Sequence, residues 1–366
     1  MAKFIPVSEP LFSGNEVKYV TESVKSTWVR TGKFLDKFEN KFAKFCQTNY
    51  ASSTSSGTTA LHLLFLAMGI KENDEVIVPD MTYVASANAA VYVGAKPVFV
   101  DVDKDTWTIS PEKIEEKITK KTKLIEVVHL YGHPADMDKI NKIAKKHNIA
   151  VIEDACQAHG ALYKGKKVGS LSNAACFSFS GAKIITTGEG GMITTNDKKL
   201  YQKIVDINND FMDSKKKFYH TDIGYNFRLT NLQAALGLAQ IENIDRLINK
   251  KIEHARIYNA HLKNLEVLQL PVEKPWAKNV YWLYSVLLKK TYLRDKMMEY
   301  LLGKGIETRP FFTPMHKLPM YKQKGKFPNS NYLANNGLSF PSGTGLTKKE
   351  IEYVCSEVKK FVKKYG

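Results

Sequence analysis

The chain has 366 residues, 43% hydrophobic and 25% charged, which is ordinary for a globular protein with room for two domains, and no apolar run approaches the length of a membrane span. Its 54 Lys+Arg against 37 Asp+Glu give a net charge of +17, yet the excess lies in short dispersed lysine runs with no nucleic-acid-binding signature, which argues for a solvated basic surface and against a nucleic-acid partner. Four scattered cysteines, Cys46, Cys156, Cys176 and Cys355, form no CxxC pair, which speaks against a metal centre and a disulfide framework alike.

The N-terminal stretch, Met-Ala-Lys-Phe-Ile-Pro-Val, has no signal-peptide core, so the expectation is a cytoplasmic protein. An irregular arm follows. Val17, Val20 and Val24 recur at helical spacing and predict a helix over 14–26; Leu35, Phe38, Phe42 and Phe45 predict a second over 34–45. Between them Trp28-Val29-Arg30-Thr31-Gly32 breaks the pattern, as a plain connector or as a loop that reaches a ligand. Residues 50–53 read as a short strand, and Ser55-Ser56-Gly57-Thr58-Thr59 leads to a helix predicted over 60–68. Small residues before a helix leave backbone N–H groups free to face an anion, and the helix dipole favours negative charge there. The same residues also suit simple capping. A strand at 75–79 leads to Tyr83, whose ring suits stacking on a flat ligand or packing in the core. A further strand at 97–101 follows.

A helix near 111–117 begins with Pro in its first turn. Leu124–Val128 predicts a strand, residues 136–146 a helix, and Ile149–Ile152 a strand ending in two acids, Glu153 and Asp154. Ala174–Phe179 predicts another, which empties into a polar segment with a single lysine, Lys183. A Gly188-Glu189-Gly190-Gly191 turn and a strand at 192–195 complete the stretch. Strands alternating with helices predict a largely parallel sheet covered on both faces. Ligands bind such sheets beyond the C-terminal strand ends, where Asp154 and Gly57-Thr58-Thr59 fall. An acid that holds a basic ring nitrogen and an amine that joins an aldehyde suit pyridoxal 5'-phosphate (PLP).

Residues 198–207 predict a helix, and 208–221 a polar, lysine-rich loop. Gly224-Tyr225-Asn226-Phe227-Arg228 precedes an Ala/Leu-rich helix. A long polar helix from Asp245 reads as a connector to a second unit, with strands at 267–270 and 281–288 and helices near 293–303 and 347–364. The expected division is a large cofactor-binding domain, 1–245, and a small α+β domain, 246–366.

In this order, Ser56-Gly57-Thr58, Val128-His129-Leu130-Tyr131-Gly132, Ile152-Glu153-Asp154-Ala155-Cys156-Gln157-Ala158-His159-Gly160, Phe177-Ser178-Phe179 ahead of Lys183, and Gly188-Glu189-Gly190-Gly191 resemble the DegT/DnrJ/EryC sugar-nucleotide aminotransferases over nearly the whole chain. The resemblance implies an α/β class protein with the PLP type I aspartate-aminotransferase fold. It implies Lys183 as the amine that joins the cofactor, Asp154 on the ring nitrogen, Gln157 on the ring hydroxyl and Tyr83 over the ring. It also implies phosphate contacts from Gly57, Thr58, Thr59 and Ser178, and from Asn226 to the neighbouring subunit's cofactor. A homodimer with shared sites and L-glutamate as amino donor follow from it.

For the nucleotide-linked ketosugar, the resemblance points to Trp28, Arg30, Thr31, Arg228, Arg309 and His316. The stretches Trp28–Gly32 and Glu307–His316 look most like those of the perosamine synthases. They imply amination at C4 of GDP-4-keto-6-deoxymannose, with dTDP-4-keto-6-deoxyglucose as the alternative. Arg30 stands where a small hydroxyl residue is expected, and Ser180-Gly181-Ala182 replaces a bulkier segment.

Overall fold

The computed structural model describes residues 4–366. Two helices come first, α1 (Glu16–Lys25) and α2 (Lys33–Cys46). Then follow β1 (Tyr50–Thr54), α3 (Gly57–Ala67), β2 (Glu75–Pro79), α4 (Val84–Tyr92), β3 (Lys96–Val100), α5 (Pro111–Ile114), β4 (Thr122–Val128), α6 (Met137–His147) and β5 (Ala150–Asp154). The short strands β6 (Leu162–Tyr163) and β7 (Lys166–Lys167) precede β8 (Ala174–Ser178) and β9 (Gly191–Thr195). Helices α7 (Lys198–Asn208), α8 (Asn231–Glu242) and α9 (Ile244–Leu262) come next. The chain ends with β10 (Leu268–Gln269), β11 (Ala277–Lys278), β12 (Tyr284–Leu288), α10 (Leu293–Leu302), β13 (Arg309–Pro310), α11 (Pro328–Asn336), β14 (Gly337–Phe340) and α12 (Lys348–Tyr365).

Seven strands form one sheet in the order β1-β9-β8-β5-β4-β2-β3. β9 runs antiparallel to both its neighbours, and β8, β5, β4, β2 and β3 pair in parallel. The expected α/β class with a mainly parallel sheet is therefore what forms. Side chains alternate between the faces, as strand geometry requires. Val76, Val78, Leu124 and Ile152 pack under α3 and α4, whereas Ile77, Ile125 and Val151 pack against α6. On the α2 side, Phe42 meets Phe177 and Phe179 edge-on, with ring centroids 4.9 and 5.2 Å apart. That contact ties the N-terminal helices to the strand that delivers Lys183.

The second sheet has the order β10-β12-β14-β13 and is antiparallel throughout. Helices α9, α10 and α12 cover it around Tyr258, Tyr284, Phe340 and Phe361, with Tyr258 and Tyr284 stacked at 4.4 Å. β11 turns back to pair with β6.

Three local expectations change. The helix expected at 60–68 starts at Gly57, because Ser56 caps it: Ser56 Oγ accepts from Thr59 N–H, and the Thr59 hydroxyl accepts from Ser56 N–H. The strand expected over 281–288 begins only at Tyr284. Tyr281 has φ +48 and donates its N–H to Asn279 Oδ1 at 2.8 Å, so the first half of that apolar run is a turn. The strand expected at 267–270 is reduced to Leu268–Gln269.

Candidate active site

A cavity of about 320 Å3 opens beyond the C-terminal ends of the parallel strands, in the size range of small-ligand sites. Its lining includes Gly57, Thr58, Tyr83, Asp154, Gln157, Ser178, Lys183 and Arg309. These residues are spread over more than 250 positions of sequence, and the sheet brings them together.

β5 ends in two acids, and strand alternation separates their fates. Glu153 points to the far face and is fully buried. Its Oε2 accepts from Gly169 N–H at 2.8 Å and pairs with His129 Nε2 at 3.0 Å; its Oε1 accepts from Leu171 N–H at 2.9 Å. His129 Nδ1 accepts from Ala135 N–H at 3.1 Å, which leaves Nε2–H to donate to Glu153. Glu153 is thus consumed by structure. Asp154 shares the face of Ile152 and reaches the cavity. Its Oδ2 accepts from Ser86 Oγ–H at 2.9 Å and its Oδ1 from Cys156 N–H at 3.1 Å. Gln157 Oε1 accepts from Tyr131 N–H at 2.8 Å, so the amide NH2 is the end left for a ligand.

Lys183 sits on a closed loop. Phe179 N–H donates to Gly190 O at 2.8 Å, Thr187 N–H to Phe179 O at 2.9 Å, and Lys183 N–H to Ser180 O at 2.9 Å. Gly188, at φ +83, makes the turn. Burial lowers the basicity of the Lys183 amine, while Cys156, Asp154 and Glu189 pull it back up. Its Nζ lies 3.9 Å from the centre of the Trp282 ring. Trp282 Nε1 donates to Ala182 O at 2.7 Å, fixing the indole to the lysine loop.

The N-terminus of α3 faces the same cavity with Gly57 and Thr58. A Cβ on Gly57 would lie 2.8 Å from Ser178 Cβ, so glycine lets the helix start meet the end of β8. Tyr83 immediately precedes α4, half-exposed, with its ring 5.9 Å from that of Phe312. Arg309 Nε lies 3.5 Å from Glu307 Oε1.

The other expected site residues lie elsewhere in the single chain. The Thr59 hydroxyl is committed to the Ser56 cap and is not part of the cavity lining. Trp28, Arg30 and Thr31 are exposed on their loop. Asn226 is exposed, and its Oδ1 accepts from Arg228 Nε–H at 3.0 Å; Arg228 also donates to Asn209 Oδ1 at 2.5 Å. His316 Nδ1 pairs with Asp80 Oδ2 at 2.7 Å, and its ring stacks on Phe327 at 4.5 Å, outside the lining. Ser86, Cys156 and Trp282 belong to the site and carry no sequence signal of their own.

The donor set fits PLP. A helix N-terminus with Thr58 and Ser178 suits a phosphate, Asp154 a protonated ring nitrogen, and Lys183 an aldehyde. Residues 11–359 match the model of the DegT/DnrJ/EryC1/StrS aminotransferase family. The chain belongs to that family. It is an aminotransferase with PLP as its cofactor. It is 46% identical to the GDP-perosamine synthase of Escherichia coli O157:H7, covering 98% of this chain and 99% of that one. It is 40% identical to the GDP-perosamine synthase of Vibrio cholerae, again covering 98% and 99%. The PLP form of Spr1654 from Streptococcus pneumoniae superposes with a TM-score of 0.94 at 26% identity, covering 99% of each chain. Among the described residues no helix is long and apolar enough to cross a membrane.

Proposed function

We propose that this aminotransferase moves the amino group of L-glutamate to the C4 keto group of GDP-4-keto-6-deoxy-D-mannose, giving GDP-perosamine and 2-oxoglutarate. The observation that carries the substrate is the 46% identity to a GDP-perosamine synthase over essentially both whole chains. The basic surface, at +17, attracts an anionic nucleotide sugar to the site.

When bound, PLP supplies an electron sink for charge developing at the carbon that gains or loses the amino group. In this reading Lys183 Nζ is the group that joins the cofactor at rest and, once released, moves the proton at that carbon as general base and then general acid. Burial serves this role, because it keeps the amine easier to deprotonate than a surface lysine. Asp154 holds the proton on the ring nitrogen, with Ser86 and Cys156 N–H fixing its two oxygens. Gln157 offers its NH2 to the ring hydroxyl, and Tyr83 covers the ring. The α3 N-terminus, Thr58 and Ser178 bind the phosphate. Arg309, beside Glu307, presents a fork suited to the sugar-nucleotide diphosphate.

The working unit in this reading is a cytoplasmic homodimer, each subunit divided at 245/246 into a large and a small domain. Trp28, Phe218 and Ile223 are large apolar side chains left open to solvent in one chain, which supports their burial against a second copy. Asn226, Arg228 and Trp28–Thr31, all away from the chain's own cavity, then serve the partner's site.

Purified protein incubated with PLP should absorb in the visible, and glutamate should bleach the band; Lys183→Ala should show none. Amination is then read by mass spectrometry with GDP- and dTDP-linked 4-ketosugars. Turnover of the dTDP sugar alone would replace the GDP assignment, and a wild-type protein with no visible band would sink the whole reading.

A further inference from the structure

Glu126 lies near the middle of β4 and has no solvent exposure. Among the described residues neither of its carboxyl oxygens has a hydrogen-bond partner. A lone buried carboxyl is costly, and it sits where an apolar residue would pack without penalty. Its position is specific. In the parallel register Glu126 pairs with Ile152 and Val128 with Asp154, so Glu126 and Asp154 project from the same face of the sheet, two residue pairs apart. That face is covered by α4, which sets Ser86 against both acids.

Burial pushes the Glu126 carboxyl well above the usual carboxylate range, and the charge of Asp154 pushes it further; a hydrogen bond from the nearby Ser86 would lower it, but that hydroxyl gives its proton to Asp154. The titratable groups facing it are Asp154 from β5 and Cys176 from β8, whose thiol is itself pushed up by burial. The hydroxyl arithmetic leaves one place for a donor. Ser86 spends its single proton on Asp154 Oδ2, so Thr82 Oγ1, 3.0 Å away, is the donor in that pair. Ser86 Oγ then has one acceptor site free. The terminal torsion of a glutamate is soft, and Ser86 is near enough to act on the carboxyl, so a protonated Glu126 is free to aim its O–H at that site.

We propose that Glu126 is a positioning residue for Asp154: a neutral carboxylic acid that donates to Ser86 Oγ and so holds the Ser86 hydroxyl on Asp154. The chain Glu126–Ser86–Asp154 is short, buried and cooperative. The inference rests on Asp154 serving the cofactor ring nitrogen, as proposed above.

The test has two arms. Infrared spectroscopy of the holoenzyme near neutral pH should show the carbonyl band of a protonated carboxylic acid, absent in Glu126→Gln. In the visible arm, Glu126→Leu should shift the pH midpoint of the cofactor band, and Glu126→Gln, a neutral donor of the same shape, should restore it. For Glu126→Leu, kcat should fall by about 5-fold with KM within about twofold, the worth of one neutral hydrogen bond. Ser86→Ala should shift the midpoint as Leu does while keeping the infrared band, which covers the case of a Leu variant that does not fold. Absence of the acid band in wild type, or a wild-type midpoint in both Glu126→Leu and Ser86→Ala, overturns the proposal. A wild type with no visible band would instead defeat the cofactor reading, and the infrared arm then decides the state of Glu126 alone.

Discussion

Lys183 Nζ lies 3.9 Å from the centre of the Trp282 ring, and the two residues come from parts of the chain 99 positions apart. The indole face attracts the protonated amine, while the buried setting disfavours it. Trp282 Nε1 also donates to Ala182 O at 2.7 Å, so the ring that tunes the amine holds the residue beside it. Trp282→Leu should therefore loosen the lysine loop and lower kcat by about tenfold, the sum of a hydrogen bond and a cation–π contact of about 1 kcal/mol or less each. Steady-state kinetics check it. A Trp282→Leu enzyme with wild-type kcat would show the ring to be simple packing.

Gly57 does not need glycine's conformational freedom, since it opens α3 with ordinary helical geometry; it needs the space. An alanine Cβ there would sit 2.8 Å from Ser178 Cβ and 3.1 Å from Cys156 Sγ. Gly57→Ala should push the start of α3 away from the end of β8, at about 1–3 kcal/mol of overpacking. Because that junction is the proposed phosphate site, PLP affinity should fall by about tenfold or more. Titration of the apoprotein with PLP measures it. Unchanged affinity would move the phosphate elsewhere.

How much of this was legible before folding differs from residue to residue. Asp154 and Lys183 stand out because each follows an apolar strand run at a sheet edge where ligands bind. Even there, the choice of Asp154 over Glu153 depends on which face Ile152 takes, and the pairing with β4 settles that. Thr59 illustrates the opposite case: helix capping and anion binding use the same small hydroxyl residues, and in the fold capping takes Thr59 while Thr58 lines the cavity. Trp282 lies in an apolar run that reads as a strand, and its role follows from a turn at Tyr281, whose N–H bonds to the Asn279 side chain. Residues 328–340 form α11 and β14, yet they are too mixed in period to announce either.

Asn231 shows how a loop far from the strands is held. Its side chain is buried at the start of α8. Oδ1 accepts from Phe34 N–H at 3.0 Å and Leu35 N–H at 3.3 Å; Nδ2 donates to Trp28 O at 2.6 Å and Ser23 Oγ at 3.3 Å. One amide thus satisfies the first N–H groups of α2 and pins the 28–32 loop. Asn231→Ala leaves Phe34 N–H and Trp28 O without this partner, while Leu35 N–H keeps Gly32 O at 3.1 Å, and should destabilise the protein by about 2 kcal/mol. Asn231→Asp should also fail, because it sets an acceptor against Trp28 O. Denaturant unfolding reads the loss. If Trp28–Thr31 serves the sugar-nucleotide site, KM for that substrate should rise more than kcat falls.

Lys251 gives a prediction in pH. It lies buried on α9, with Nζ donating to Trp282 O at 3.0 Å and to Ser342 O. These carbonyls flank β12 and follow β14, so one amine joins the long helix to both. Burial lowers its pKa from 10.5 to about 7, and its neighbour His254 is held at about 4 by burial and by Lys251. A neutral amine still has two protons for two acceptors, so deprotonation leaves both hydrogen bonds intact. Between the folded and unfolded values the unfolded chain binds a proton that the folded chain does not, so stability from this group rises with pH across that window. Below it the amine is charged in both states, and the full cost of burying the charge remains. Lys251→Met removes that dependence and leaves two carbonyls unpaired, at about 2 kcal/mol or more. The wild type should therefore exceed the variant in stability by a margin that widens from about pH 6 to about pH 9. Urea unfolding of both proteins across that range measures the margin. A constant gap would mean that Lys251 stays charged in the fold, with its ammonium held by the two carbonyls.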